Sequence, residues 1–313
     1  MSIIQVQSPG LLTTVQDLGR EGFGPLGVSP SGAADPLSLR IGNRLVGNPE
    51  SAAGLEMTLL GGTFQFPQAT TIALTGSDFG ATLDGAPLAP WNSTEVTSGQ
   101  TLRVASTRSG ARCYLSLHGG IIVNPFLGSA STHLLSGLGG YQGRALRKGD
   151  VLRLGREIAP FRKKTVDSQS LEQLAPRKIL RVTAGPQSDW FPQSSLRAFY
   201  ENTYRVAEES NRMGLRLEGH SIARESSGEM ITEGVSLGAI QITASGLPIS
   251  LFVEQQTTGG YPKIANVISA DLHSLGQLRP RDEIRFEQVS WDAGRTLLIE
   301  QEQLLASDGL IVG

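Results

Sequence analysis

The stretch Thr70-Thr71-Ile72-Ala73-Leu74-Thr75 concentrates β-branched and apolar residues between turn-forming ones. This pattern is typical of a β-strand. Outward from it, residues 100–104 and 112–117 show the same pattern, and Asp84-Gly85 stands between two short β-forming segments, where this dipeptide predicts a tight hairpin. The sequence therefore predicts a mainly β protein with a few short helices.

The composition favours the same architecture. Of the 313 residues, 38 are glycine and 16 are proline, while only 6% are aromatic, which suits many short strands joined by turns better than a helical bundle. The length predicts two domains, each able to bury its own core. A polar, charged segment with two prolines separates them, so we expect an N-terminal domain at residues 1–160, a linker at 161–176 and a C-terminal domain at 177–313.

Helical patterns are few. Residues 34–45 place Leu37, Ile41 and Leu45 at four-residue spacing, which puts them on one face and predicts a helix. Residues 188–199 show a weaker pattern of the same kind. The helices are therefore expected to be short additions to the strands.

Charge and composition exclude several classes of function. The net charge of -2 and the pI of about 6.1 give no basic surface for nucleic acid or for an anionic membrane. No signal peptide or apolar span is visible, so we expect a cytoplasmic protein. Cys113 is the only cysteine, and the histidines lack metal-ligand spacing, so no metal site is predicted.

The two halves of the chain resemble each other. Residues 60–66 (LGGTFQF) resemble residues 237–242 (LGAIQI), and each segment follows a glutamate, Glu56 or Glu233. A degenerate tandem duplication explains the similarity, and chance likeness between β-rich segments is the alternative.

Arg44 and Arg212 are expected to pair with carboxylates. An arginine can clamp a carboxylate ligand, and Arg212 is a candidate for substrate binding. We favour the pairing of Arg44 with Glu56 and of Arg212 with Glu233, which would brace each domain.

The loop Gln255-Gln256-Thr257-Thr258-Gly259-Gly260-Tyr261-Pro262-Lys263 carries the strongest signal for a ligand. Its threonines offer hydroxyls, its glycines could take positive φ and bring N–H groups to an anion, and Lys263 adds a charge. It lacks the order of a P-loop. A hairpin turn between two strands is the alternative. Lys263 is the candidate catalytic residue, and the candidates for substrate binding here are Thr257, Thr258, Gly259, Gly260 and Tyr261.

A second candidate region is the glycine-rich segment of residues 17–35. Long loops of this kind are often functional, and Asp17, Arg20 and Ser31 are candidates for substrate binding. The alternative is that Asp17 and Arg20 form a local ion pair. Asp35 is expected to support the start of the helix that follows.

Four segments together resemble the family of 5-oxoprolinase C subunits, which overlaps with allophanate hydrolase subunit 2 and the biotin-dependent carboxyltransferase-like proteins. They are residues 13–59, 128–150, 210–219 (SNRMGLRLEG) and 256–278 (QTTGGYPKIANVISADLHSLGQL), and they follow the family's order along nearly the whole chain. The resemblance implies two cyclophilin-like, β-barrel-type domains and a stable complex with a partner, the B subunit of 5-oxoprolinase.

The resemblance also implies a reaction. The B and C subunits, together with the A subunit, open the lactam of 5-oxoproline to give glutamate at the expense of ATP, through phosphorylation of the lactam carbonyl. ATP, with Mg²⁺, is expected in the complex, on this chain or mainly on the partner, and the chain is expected to be inactive alone. One alternative is a biotin-dependent carboxyltransferase component acting on urea or a similar amide. Another is a regulatory protein that antagonises an inhibitor of a sporulation kinase.

Overall fold

The computed structural model describes residues 2–155, 162–224 and 230–313. They form two compact units that do not follow the chain in simple order. The first unit contains the residues up to Arg20, Ser31–Gln173 and Leu305–Gly313, and the second contains Glu21–Pro30 and Leu174–Leu304. The described part of the expected linker, residues 162–176, contains a strand and a helix, while residues 156–161, at the expected domain boundary, lie outside the described residues.

Short strands make up most of the regular structure. In chain order they are β1 (Ile3–Ser8), β2 (Leu12–Gln16), β3 (Gly54–Thr58), β4 (Thr63–Gln65), β5 (Thr70–Gly76), β6 (Thr82–Leu83), β7 (Ala86–Pro87), β8 (Ser93–Val96), β9 (Thr101–Arg103), β10 (Arg112–Leu117), β11 (Ile121–Ile122), β12 (Val151–Leu154), β13 (Thr165–Val166), β14 (Ile179–Ala184), β15 (Tyr204–Val206), β16 (Gly214–Glu218), β17 (Glu233–Gly234), β18 (Ala239–Ile242), β19 (Pro248–Leu251), β20 (Thr258–Gly259), β21 (Lys263–Val267), β22 (Glu283–Gln288) and β23 (Ile311–Val312).

The helices are fewer. They are α1 (Pro36–Leu45), α2 (Ser168–Gln173), α3 (Gln193–Glu201), α4 (Leu272–Gln277) and α5 (Trp291–Ala306), with short 3₁₀ helices at Gly24–Leu26, Ser188–Trp190 and Ser269–Asp271. The expected mainly β architecture with short helices is confirmed.

The first unit is built on two antiparallel sheets. One has the order β11-β12-β1-β4-β9-β6-β7 and the other the order β2-β3-β10-β5-β8. Phe64, Leu102 and Leu115 are fully buried in the hydrophobic core. Helix α1 packs on β5 and β10, where a side chain at Gly42 would meet Ser116 Oγ at 2.6 Å. A glycine at this position therefore lets the helix approach the sheet closely.

Two local predictions in this unit are confirmed. The Asp35 carboxylate accepts hydrogen bonds from Ser38 N (3.0 Å) and Ser38 Oγ (2.6 Å), which caps α1, and Pro36 occupies the first helical position. Asp84 (φ 48°) and Gly85 (φ 84°) join β6 to β7, as expected of a tight hairpin that needs positive φ at both central residues.

The second unit contains a closed barrel, which confirms the barrel expectation. Its strand order is β14-β21-β18-β19-β16-β15-β22, and β17 and β20 form a separate two-stranded ribbon. Phe199 of α3 stacks on Phe286 of β22 with ring centroids 4.6 Å apart, so α3 closes against the barrel through apolar contact.

The helices of this unit differ from the predicted ones. The weak pattern of residues 188–199 corresponds to a 3₁₀ turn followed by α3, which ends at Glu201. Helix α5, the longest of those described, has no counterpart among the predictions. None of the described helices has the length and apolar character that crossing a membrane requires.

Candidate functional site

The loop that carried the strongest sequence signal leads into a polar cluster in the second unit. Lys263 is the first residue of β21, and its side chain is only 5% exposed. Its Nζ donates to Oε1 of Glu233, the first residue of β17. The Glu233 side chain is 45% exposed. The ammonium is therefore covered by protein, whereas the carboxylate that it binds faces solvent.

Gln187 joins both members of this pair. Its Nε2 donates to Glu233 Oε1 over 2.8 Å, while its Oε1 accepts from the Lys263 backbone N–H over 3.1 Å. The hydrogen bonds from Lys263 and then Gln187 lower the pKa of Glu233. One carboxamide thus fixes both the carboxylate and the strand that supplies the ammonium.

Two residues of the loop, Thr258 and Gly259, form strand β20, and the strands that flank the loop, β19 and β21, are not neighbours in the barrel. Thr258 pairs with Gly234 and Gly259 with Glu233 in the β17–β20 ribbon, and the N–H of Val235 donates to the carbonyl of Thr257 over 3.1 Å. The hairpin alternative is therefore wrong for these residues.

The expected role of the two glycines is also wrong. Neither Gly259 nor Gly260 has positive φ, so the loop is not a cradle of left-handed glycines. A side chain at Gly259 would instead meet Gln241 Nε2 at 2.4 Å. Tyr261 is 41% exposed, and its carbonyl accepts from Gln241 Nε2 over 3.4 Å. A glycine is present at position 259 because the buried Gln241 carboxamide leaves no space for a side chain there.

Arg212 has a different partner from the expected one. Its Nε lies 2.5 Å from Glu254 Oε1, both side chains are at most 5% exposed, and the Glu254 N–H donates to the Arg212 carbonyl over 2.8 Å. Glu233 binds Lys263, so the predicted pairing of Arg212 with Glu233 is wrong. The Arg212–Glu254 pair is enclosed and braces the chain at the start of β16 and the end of β19.

The corresponding prediction in the first unit is also wrong. Arg44 Nη1 donates to the Leu305 carbonyl, and Glu56 lies beside Arg112 (3.4 Å) and accepts from the Tyr114 hydroxyl over 2.7 Å. Burial first, and the Glu56 charge next, raise the pKa of Tyr114, so its hydroxyl stays a donor. Glu56 and Glu233, which precede the two similar segments, thus have different kinds of partner.

Asp17 lies in a closed cluster of the first unit. Its Oδ1 accepts from Gly19 N (2.8 Å), Ser129 Oγ (2.6 Å) and Ser131 Oγ (2.5 Å), and its Oδ2 accepts from Ala130 N (2.6 Å). The residue is 9% exposed. The four donors therefore engage both oxygens of the carboxylate and tie the segment after β2 to residues 129–131.

Arg20 and Ser31 flank that cluster. Arg20 donates to the carbonyls of Phe126 (3.3 Å) and Ser131 (2.5 Å), and its guanidinium lies 5.4 Å from the centroid of the Phe126 ring. The guanidinium thus binds the backbone of the segment that also supplies the donors of Asp17. Ser31 is buried at φ 55°, and its Oγ makes no hydrogen bond within the described residues.

The sequence did not single out Gln187 or Gln241 as site residues. Gln187 lies 76 residues before Lys263 and 46 before Glu233, and no local pattern marks such a long-range contact. Among the residues that the structure describes, no group of three or more histidine, cysteine, aspartate or glutamate side chains is placed to hold a metal ion.

Comparison with known proteins gives consistent matches. A family model described as "Carboxyltransferase domain, subdomain A and B" matches residues 26–288. The 5-oxoprolinase C subunit of Escherichia coli (strain K12) is 38% identical over 289 residues, which are 92% of this chain and 92% of that protein. The 5-oxoprolinase C subunit of Haemophilus influenzae is 37% identical over 280 residues, 88% of each chain.

The fold also matches part of a larger enzyme. The crystal structure of the K. lactis urea amidolyase superposes with a TM-score of 0.91 at 34% identity, over 99% of this chain but only 21% of that one. The chain thus spans about a fifth of the urea amidolyase and nearly the whole of the bacterial subunits. It belongs to the carboxyltransferase subdomain A and B family and to the family of 5-oxoprolinase C subunits.

Proposed function

We propose that the chain is the C subunit of an ATP-dependent 5-oxoprolinase, which acts with the B and A subunits to convert 5-oxoproline to glutamate. The observation that carries the proposal is the match to a 5-oxoprolinase C subunit, which extends over 92% of both chains. A multi-subunit complex fits this assignment because the relative is itself named as one subunit of an enzyme.

The polar cluster of the second unit supports a small planar amide as substrate. A lactam presents an N–H donor and a carbonyl acceptor side by side. The cluster offers a solvent-facing carboxylate at Glu233 and hydroxyls on the adjoining β20 segment, and these are complementary to the two edges of an amide.

The same cluster does not fit the phosphates of ATP. The Lys263 ammonium is buried against Glu233, and the backbone of the loop is committed to the β17–β20 ribbon, so neither is available to a triphosphate. We therefore assign ATP and Mg²⁺ to the B subunit and derive no step of this chain's own chemistry through them. When bound in the complex, ATP would supply phosphorylation of the lactam carbonyl.

The test is reconstitution. The chain is purified with the B subunit, mixed with the A subunit, and glutamate release from 5-oxoproline is measured with and without ATP. We expect ATP-dependent release from the three-component mixture and none from this chain alone. Failure of the full mixture to release glutamate would refute the proposal.

A carboxyltransferase component is the second candidate. The observation that favours it is the superposition on urea amidolyase with a TM-score of 0.91. Biotin would then arrive on another chain, since no lysine here lies in a biotin-attachment sequence. Carboxylation of urea by the purified chain with carboxybiotin, without glutamate release in the first assay, would establish this candidate instead.

A further inference from the structure

We propose that Glu233, with the hydroxyl of Thr257, contacts the substrate amide, and that Lys263 and Gln187 are positioning residues that hold the Glu233 carboxylate. In this assignment the carboxylate accepts the substrate N–H. The proposal deepens the proposed function and rests on it, since 5-oxoproline is the amide concerned.

Exposure identifies which member of the ion pair a ligand can reach. The Lys263 side chain is 5% exposed and the Glu233 side chain 45%. A ligand arriving from solvent meets the carboxylate, and the ammonium lies behind it. The catalytic role expected for Lys263 is therefore replaced by a positioning role.

The hydrogen bonds of Glu233 leave one oxygen available. Lys263 Nζ and Gln187 Nε2 both donate to Oε1. Within the described part of the chain, Oε2 receives no donor. An ionised carboxylate has acceptor capacity on both oxygens, so Oε2 is oriented by its neighbours yet free to accept one more N–H.

The register of the ribbon places Thr257 on the same face as this carboxylate. Glu233 lies opposite Gly259 and Gly234 opposite Thr258. Directly opposite residues project to the same face, and successive residues alternate. The N–H of Val235 donates to the carbonyl of Thr257, just before β20, which continues the pairing by one residue. Thr257 and Gly259 therefore share the face of Glu233, and Thr258 projects from the other one.

Glycine at the opposing position leaves no side chain directly across from Glu233. Any larger residue at 259 would place one there. The added atoms would also meet Gln241 Nε2 at 2.4 Å, because Gly259 is itself buried. The face of the ribbon thus carries a carboxylate and a hydroxyl, with a buried glycine and a buried carboxamide beside them.

This arrangement favours an N–H donor over an anionic group. A carboxylate accepts from an amide N–H and repels an anionic group at the same position. The carboxylate of 5-oxoproline would therefore point away from Glu233, while its lactam N–H points toward it. The Thr257 hydroxyl can donate to the neighbouring lactam carbonyl.

The experiment compares two ligands that differ in the N–H alone. Binding of 5-oxoproline and of 3-oxocyclopentanecarboxylate, in which a methylene replaces the N–H, is measured by calorimetry on the complex of this chain with the B subunit. We expect the unmodified complex to bind the lactam about 10- to 100-fold more tightly than the ketone. In Glu233→Leu the ratio should fall to about one, and in Thr257→Val both ligands should weaken more than in Thr258→Val.

Folding defects are handled by a second variant. Glu233→Leu leaves the Lys263 ammonium buried without an anion, so the double variant Glu233→Leu/Lys263→Met removes both charges and should show the same loss of discrimination. Glu283→Gln, at an exposed position of β22, should keep the original ratio. A ratio that persists in the double variant would overturn the inference, provided that the unmodified complex, mixed with the A subunit and ATP, releases glutamate from 5-oxoproline. Absence of release from that three-component mixture would refute the proposed function instead.

Discussion

Asp17 in the first unit and Glu233 in the second are both carboxylates within segments that the sequence marks as candidate sites, and the structure treats them in opposite ways. Asp17 receives four hydrogen bonds spread over both oxygens and is 9% exposed. Glu233 receives its two on one oxygen and is 45% exposed. Both oxygens of Asp17 accept from its own chain, whereas Oε2 of Glu233 accepts from none of the residues that the structure describes.

A structural carboxylate differs from one that can meet a ligand in how its oxygens are used. A buried carboxylate whose two oxygens both accept from its own chain stabilises the loops that supply the donors. A carboxylate fixed from behind by a buried cation is oriented without being covered. The number of remaining acceptor positions therefore discriminates between two residues that look equally promising in the sequence.

The largest effect is expected when the Asp17 cluster loses one of its acceptor oxygens. Asp17→Asn replaces one acceptor oxygen by an NH₂ group, so at least one of Gly19 N, Ser129 Oγ, Ser131 Oγ and Ala130 N loses its acceptor. We expect the first unit to lose about 3 kcal/mol of unfolding free energy. Urea unfolding followed by Trp91 fluorescence in a Trp190→Phe/Trp291→Phe background reports on that unit.

A surface carboxylate of the same unit provides the control for Asp17→Asn. Asp78 pairs with Arg108, and the two side chains are 39% and 70% exposed, so Asp78→Asn should cost at most about 1 kcal/mol. Binding of 5-oxoproline to the complex should survive Asp17→Asn wherever the protein is folded. Loss of binding with unchanged stability would show that Asp17 contacts the ligand and would contradict its structural role.

The next largest effect tests the unequal exposure of Lys263 and Glu233. Glu233→Gln leaves the buried Lys263 ammonium without its anion and should destabilise the second unit by about 2–3 kcal/mol. Lys263→Met leaves a carboxylate that water can solvate and should cost only about 1 kcal/mol. Fluorescence of Trp190 in a Trp91→Phe/Trp291→Phe background is the measurement. Equal losses of unfolding free energy in the two variants would contradict a buried Lys263 paired with an exposed Glu233.

Much of the local structure could be predicted from the sequence, because its causes lie within a few residues. The cap of α1 by Asp35 and the Asp84-Gly85 hairpin depend on adjacent residues, and both follow from standard preferences. The mainly β composition likewise follows from the recurrent strand pattern. Helix α5 has no counterpart among the predictions. Leu297, Leu298, Leu304 and Leu305 recur at seven-residue spacing on one side of it, but the exposed apolar residues Trp291 and Ile299 weaken the pattern.

The candidate site was predictable only in part. The sequence located Lys263 and its loop, since hydroxyls, glycines and a lysine are adjacent there. It could not identify the partner, because Glu233 lies 30 residues away and the bridging Gln187 lies 76 residues away. Contacts of this kind depend on strand register, which short, weakly patterned segments such as β17 and β20 do not specify on their own.

A smaller effect should distinguish the two glycines of the loop. Gly259→Ala places a carbon 2.4 Å from Gln241 Nε2 and 3.0 Å from Gln256 Nε2, whereas at Gly260 no atom lies closer than 3.4 Å. Because both contacts at Gly259 are ends of flexible side chains, we expect a loss of about 1 kcal/mol in stability there, measured by urea unfolding. Gly260→Ala is the matched control and should change stability by less than about 0.5 kcal/mol. A larger cost at Gly260 would contradict the extended conformation of this loop.

The smallest effect concerns pH. Lys263, then Gln187, lower the pKa of Glu233 by hydrogen bonding. A carboxylate with a lowered pKa contributes stability that is present above its ordinary pKa of about 4.3 and is lost as the pH falls through the lower, folded-state value. The second unit should therefore lose a small increment of stability in that acidic range. Lys263→Met should raise the pKa of Glu233 toward its ordinary value and remove the increment.

Carboxyl ¹³C NMR titration measures this shift, and the first unit supplies an internal reference. Arg144 donates to both oxygens of Asp150, over 2.7 and 2.9 Å, and this hydrogen bonding is the main cause of the lowered pKa of Asp150. Lys263→Met should leave that pKa unchanged. If the pKa of Glu233 also stayed low in the variant, Gln187 would be the group that orients the carboxylate. The open site would then depend on a neutral donor, and a buried ammonium at position 263 would serve the folding of β21 alone.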